Sequence, residues 1–240
     1  MINRKENRAQ DQLRPVRFTR GFTKNAAGSV LVEFGDTKVI TTAFIEDRIP
    51  RFLFDTGRGW LTAEYSLLPG STEKRVQRDR GITLSGRTQE IQRLIGRCLR
   101  ASVDLSKIGE RTIVIDADVI QADGGTRTAS ISGGFIALYD ALLKLKESGA
   151  IQEIPVIEPV AAVSVAVLDG ETLLDVDYIE DSNADADANI VMTESGKILE
   201  FQATSEKAPL DREKFLEIAD MAEKGIQDII KIQKQSLGLN

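Results

Sequence analysis

Three short segments carry residue types and spacings that suit chemistry on an anion. The first is Asp123-Gly124-Gly125-Thr126-Arg127-Thr128, between a β-branched run and an apolar run of helical period. Paired glycines let backbone approach a ligand closely, and a helix starting there aims free N–H groups and a positive dipole end at it. Thr126 adds a hydroxyl donor and Arg127 a forked cation matched to phosphate oxygens. The segment is not a Gly-x-x-x-x-Gly-Lys-Ser/Thr phosphate loop; a tight turn with a surface arginine is the competing reading. The second, Ser85-Gly86-Arg87-Thr88, repeats the logic, so two helix starts could pinch one small anion. A capped helix with solvated arginines competes. The third, Asp181-Ser182-Asn183-Ala184-Asp185-Ala186-Asp187, crowds hard oxygen ligands between strand-like runs. That suits Mg²⁺ or Mn²⁺, with a substrate phosphate completing the shell. It lacks the glycine and glutamate of an EF-hand loop, and a solvated acidic loop is the alternative.

Composition restricts what these segments can do. The 240 residues include no histidine and one cysteine, Cys98. This excludes Ser–His–Asp and Cys–His nucleophiles, imidazole bases, an internal disulfide and a structural zinc site. Any metal must be held by oxygens. Thirty-one Lys and Arg against 37 Asp and Glu give a net charge of −6, but the charges are sorted. Gly70–Arg100 has eight basic and three acidic residues, whereas Val165–Ile190 has eight acids and no Lys or Arg. No run reaches the roughly 18–20 apolar residues that span a bilayer. Met1–Asp11 is polar, so a cytoplasmic protein with no membrane partner is expected.

Elements that would position the three segments follow from periodicity. Gly28–Glu46 reads as a hairpin turning at Gly35-Asp36, and Trp60–Leu68 and Thr112–Gln121 read as strands. Gly70–Thr83 is a basic loop. Ile91, Leu94, Ile95, Cys98 and Leu99 mark a helix capped by Ser85 or Thr88. Phe135, Leu138, Leu142 and Leu145 mark a second. Gly149–Pro159, with two prolines, is the best boundary between lobes, dividing the chain into 1–148 and 149–240. Beyond it lie strand-like runs Val160–Leu168, Thr172–Tyr178, Ala188–Thr193 and Lys197–Thr204. A last helix starts near Asp211, with Phe215, Ile218, Ala222, Ile226 and Ile229 on one face. Cys98 and Trp60 read as core residues.

Taken in order, these segments resemble the RNase PH family of phosphate-dependent exoribonucleases and tRNA nucleotidyltransferases. The residues carrying the resemblance are Leu13-Arg14-Pro15-Val16, Gly28–Val39, Gly59–Tyr65, Ser85–Arg97, Asp118–Ser130, Glu180-Asp181-Ser182, Asp187, Asn189 and Val191-Met192-Thr193. They cover nearly the whole chain. The family usually has Asp-Gly-Arg where Glu6-Asn7-Arg8 stands, His-Ala-Glu-Gly-Ser at Asn25–Ser29, and an arginine at Gly70. None of these departures touches the three segments.

The resemblance implies an α+β fold of two βαβ-type lobes, mixed sheets with packed helices, assembled as a hexameric ring, a trimer of dimers. It implies a phosphate site on Arg87, Gly125, Thr126 and Arg127, metal-linked aspartates Asp181 and Asp187, and an RNA grip on Arg75, Arg78 and Arg80. The implied reaction is 3′→5′ phosphorolysis of RNA such as precursor tRNA. Inorganic phosphate is the co-substrate, nucleoside diphosphates are released, and the reverse reaction adds nucleotides. Mg²⁺ or Mn²⁺ would offset charge on the phosphoryl oxygens. Asp187 has a second available role, protonating the leaving 3′-oxygen. The rival reading is a catalytically silent RNA-binding or scaffold subunit of an exosome-like ring; it expects the phosphate and metal residues to be lost, and all are present.

Overall fold

The β-branched runs of the first half become five strands in a computed structural model, which describes residues 4–78, 84–207 and 209–239. β1 (Val16–Arg20), β2 (Gly28–Phe34), β3 (Thr37–Glu46), β4 (Trp60–Leu67) and β5 (Thr112–Gln121) form a mixed sheet in the order β1-β2-β3-β5-β4. All its pairs are antiparallel except β4 with β5. A parallel pair needs a crossover, and α1 (Gly86–Ala101) lies in it. Alternation sends Val30, Val32 and Phe34 of β2, and Ile113, Ile115 and Val119 of β5, to one buried face. The Ile91, Leu94, Ile95, Cys98 and Leu99 stripe of α1 is buried as its period requires.

α2 (Thr126–Glu147) packs on β2, β3 and β5 and also on β6 (Val160–Leu168) of a second sheet. Being covered on both sides, it is buried almost all round from Thr128 to Leu138. Small residues make the close approach possible: a Cβ on Gly133 would lie 2.0 Å from Val32 Cγ2. The second sheet adds β7 (Glu171–Leu174), β8 (Ala186–Thr193) and β9 (Ile198–Ser205), in the order β7-β6-β8-β9, antiparallel throughout. α3 (Tyr178–Asn183) joins β7 to β8, and α4 (Arg212–Leu237) closes the chain. Asp211 caps α4, accepting from the Lys214 amide at 2.7 Å. Ile218, Ala222, Ile226 and Ile229 are buried, while Phe215 stays exposed and packs its ring on Phe201, centroids 4.5 Å apart. One hydrophobic core runs through both sheets.

Two local readings are corrected. The acidic segment is not a loop: Asp177 accepts from the Glu180 amide while Glu180 accepts from the Asp177 amide. This reciprocal capping box starts α3, so Asp181 sits on a helix and Asp187 on β8. β1 was absent from the periodicity because its five residues, Val16-Arg17-Phe18-Thr19-Arg20, alternate too briefly to stand out.

Candidate functional site

β5 delivers the chain to Asp123-Gly124-Gly125 directly ahead of α2. Gly124 and Gly125 have φ of +73° and +66°, the left-handed region that only glycine occupies freely. A Cβ on Gly124 would also meet the Val176 carbonyl oxygen at 2.5 Å. Thr37 fastens the turn, donating its hydroxyl to the Gly124 carbonyl and accepting from the Asp123 amide. With Gly125 at the cap, no side chain satisfies the first turn of α2. Its leading amides therefore present an open anion-binding end.

Thr126 and Arg127 are held from the side. The Tyr65 hydroxyl lies 2.9 Å from Thr126 Oγ1. Arg127 Nη1 donates to Gln202 Oε1 at 2.7 Å and stands 3.7 Å from Glu90 Oε1, while Gln202 Nε2 donates to the same Glu90 oxygen. At the start of α1, Ser85 Oγ accepts from the Thr88 amide. Arg87 is exposed in this same first turn and, among the described residues, makes no hydrogen bond or ion pair.

The structure brings Asp181 and Asp187 to these arginines. Crowding by protein strips water from Asp181 and raises its pKa, with repulsion from Asp187 adding to the shift; Arg127, Arg87 and Arg14 oppose it. Partial burial likewise raises Asp187, against Arg127 and Arg87. Among the described residues no side chain hydrogen-bonds either carboxylate. Four other acids of the block are occupied: Asp175 pairs with Arg14, Glu180 with Arg4 and Arg8, Asp185 with Lys207, and Asp177 caps α3. Two half-dehydrated, mutually repelling carboxylates form an oxygen-only donor pair that fits a hard divalent cation, with phosphate or water supplying the remaining positions. No cluster of three or more acidic, His or Cys side chains suited to a metal occurs among the described residues.

Arg75 and Arg78 are exposed, in a segment whose base is tied to this turn by the Ala122 amide donating to the Ser71 carbonyl. No contact joins them to the carboxylates. Arg80 lies outside the described residues. Sequence reasoning missed Gln202 and Glu90, which orient Arg127 from β9 and α1, and Tyr65 beneath Thr126. It also missed the part played by Arg4, Arg8 and Arg14 behind the carboxylates; the family-like Leu13-Arg14-Pro15-Val16 and the variant Glu6-Asn7-Arg8 were the signals near them.

The family model described as 3′ exoribonuclease family, domain 1, matches residues 12–144, and domain 2 of the same family matches 158–225. The chain belongs to the 3′ exoribonuclease family. Within it, its full-length relatives carry the name ribonuclease PH. That of Corynebacterium kroppenstedtii is 54% identical over 236 residues, covering 98% of this chain and 92% of that protein. That of Syntrophomonas wolfei is 54% identical over 239 residues, covering 99% and 100%. Among solved structures, rice (Oryza sativa) Rrp46 matches with a TM-score of 0.78 at 19% identity, over 98% of this chain and 100% of that one. A chain of the Archaeoglobus fulgidus exosome with RNA bound to the active site matches at 0.80 and 20%, over 95% and 91%. Both likenesses concern the fold.

Proposed function

We propose that this chain is a 3′→5′ phosphorolytic exoribonuclease that trims precursor tRNA and other RNA. The observation carrying the reading is the convergence of an uncapped α2 terminus, Arg127 and Arg87 on the Asp181–Asp187 pair. Phosphate is anionic at neutral pH, so it needs positioning rather than an imidazole base. Arg87, Arg127, Thr126 and the amides at Gly125 hold it, restraining its orientation for in-line attack. A phosphate oxygen bonds to the phosphorus of the last linkage and the bond to the 3′-oxygen breaks. The terminal nucleotide leaves as a nucleoside diphosphate, and the shortened RNA keeps a 3′-hydroxyl after taking a proton. Asp187, where it is not a metal ligand, would supply that proton.

Asp181 and Asp187 would hold Mg²⁺ or Mn²⁺, which when bound neutralises charge on the phosphoryl oxygens. One phosphate linkage replaces another, so excess nucleoside diphosphate drives nucleotide addition. Arg75, Arg78 and Arg80 track the RNA backbone without reading bases. The division into residues 1–148 and 149–240, a six-subunit ring and a cytoplasmic location belong to the same reading. Support for a ring comes from the fold shared with exosome subunits.

Arg127→Ala tests the assignment. It should lower the phosphate-dependent rate about 10²–10³-fold, as loss of one charge-stabilising donor does elsewhere, and leave RNA affinity within twofold. Unchanged activity would remove Arg127 from the phosphate site.

A further inference from the structure

The segment from residue 4 to residue 14 lies behind the proposed phosphate turn and the carboxylates, and three of its arginines, Arg4, Arg8 and Arg14, are buried there. Arg4 Nε and Nη2 donate to Glu180 Oε1 and Oε2 at 2.7 and 3.0 Å, and Arg8 Nη2 donates to the same Oε2 at 3.2 Å. Arg4 also donates to the Leu174 carbonyl at 2.8 Å and Arg8 to the Asp175 carbonyl at 3.0 Å. Arg14 clasps the Asp175 carboxylate with Nε, Nη2 and its backbone amide, at 3.1, 2.7 and 2.8 Å. Its remaining nitrogen, Nη1, reaches the other half of the site and donates to the Asp123 carbonyl at 2.5 Å. Asp123 Oδ1 in turn accepts from the Tyr178 amide, the first of α3. Arg14 also lies against the phosphate turn: Nη2 is 3.0 Å from where a Cβ on Gly125 would stand.

Buried ion pairs are poor sources of stability, because dehydration of the charges cancels much of their attraction. What a guanidinium fork supplies is direction: its hydrogen bonds are all satisfied only when each acceptor stands at the right distance and angle. We propose that residues 4–14 are a positioning strap for the reaction. Arg4 and Arg8, acting through Glu180, set Asp181 beside it on α3. Arg14, acting through Asp175 and the Asp123 carbonyl, fixes the phosphate turn relative to the carboxylates. The backbone fits the purpose. Asn7, between Arg4 and Arg8, has φ +54°, the bend that lets both side chains reach one carboxylate. Asparagine is among the few residues other than glycine that enter this region readily.

The inference rests on the phosphate and carboxylate assignments above, and its test separates the two. In the full-length chain, Arg14→Lys keeps the charge but loses the fork, and Glu180→Gln keeps the shape but loses the charge. Folding and assembly are checked first, by thermal unfolding and size, and then kcat and KM are measured with phosphate and RNA varied separately. Arg14→Lys should raise KM for phosphate about tenfold, with kcat within threefold and KM for RNA unchanged. Glu180→Gln should lower kcat about tenfold and leave KM for phosphate within twofold. Folded variants with both constants within twofold of the parent would overturn the strap. So would losses of kcat that track loss of folded protein with every KM unchanged. If Arg14→Lys does not fold, Asp175→Asn, which keeps the acceptor oxygen, takes its place with the same expected outcome. Arg127→Ala serves as the control. If it fails to change phosphate kinetics, the parent assignment fails; if it changes them and the strap variants do not, only the strap fails.

Discussion

Gly70 stands where the resembled family usually has an arginine, and the structure shows no packing reason for glycine. It is exposed, a Cβ there would meet nothing within 4 Å, and its φ lies outside the positive range. Gly70→Arg should therefore fold normally and tighten tRNA binding. The slope of log affinity against log salt should steepen by about 0.7–0.9 for one added phosphate contact. Filter binding across a salt series reads both, and an unchanged slope would contradict the placement of the RNA grip. Cys98 makes a different claim. Burial pushes its thiol up to about 12, against about 8.5 when unfolded. Folding thus disfavours the thiolate. The stability this contributes is complete below about pH 8.5 and is lost as pH rises towards 12, at about 1.4 kcal/mol per pH unit. Thermal unfolding from pH 8 to 10 should fall more steeply for the parent than for Cys98→Ala; parallel curves would contradict the burial.

At the scale of elements, the anion site is made by where helices begin. Gly124→Ala places a methyl group 2.5 Å from the Val176 carbonyl in a φ that alanine resists. It should cost about 1–3 kcal/mol and shift the first turn of α2, raising KM for phosphate more than KM for RNA. Equal changes in the two would show that the turn does not serve phosphate. α1 was legible in the sequence because Ser85 caps a long apolar stripe, and β6 because eight of its nine residues are apolar, with only Ser164 between them. α3 was not: six residues are too short for a period, and the glutamate that closes its capping box looks like one acid among eight. The arginine strap was hidden for another reason. Arg4 and Glu180 are 176 positions apart, and only tertiary folding says which charge meets which.

For the whole molecule, the net charge of −6 conceals two opposed blocks that the fold superimposes. Four of the eight acids of the second block are engaged by Arg4, Arg8, Arg14, Lys207 or the α3 cap. Asp181 and Asp187 remain to face Arg87 and Arg127 from the first block and from α2. The absence of histidine agrees with a reaction whose nucleophile arrives already anionic. No helix among the described residues is long and apolar enough to cross a membrane. The central claim is that phosphate, not water, cleaves the last linkage. It is tested most directly by incubating the protein with a 3′-extended tRNA, with and without inorganic phosphate, and identifying the released nucleotide. The account predicts shortening only with phosphate and release of nucleoside diphosphates. Equal shortening in phosphate-free buffer with release of monophosphates would contradict it.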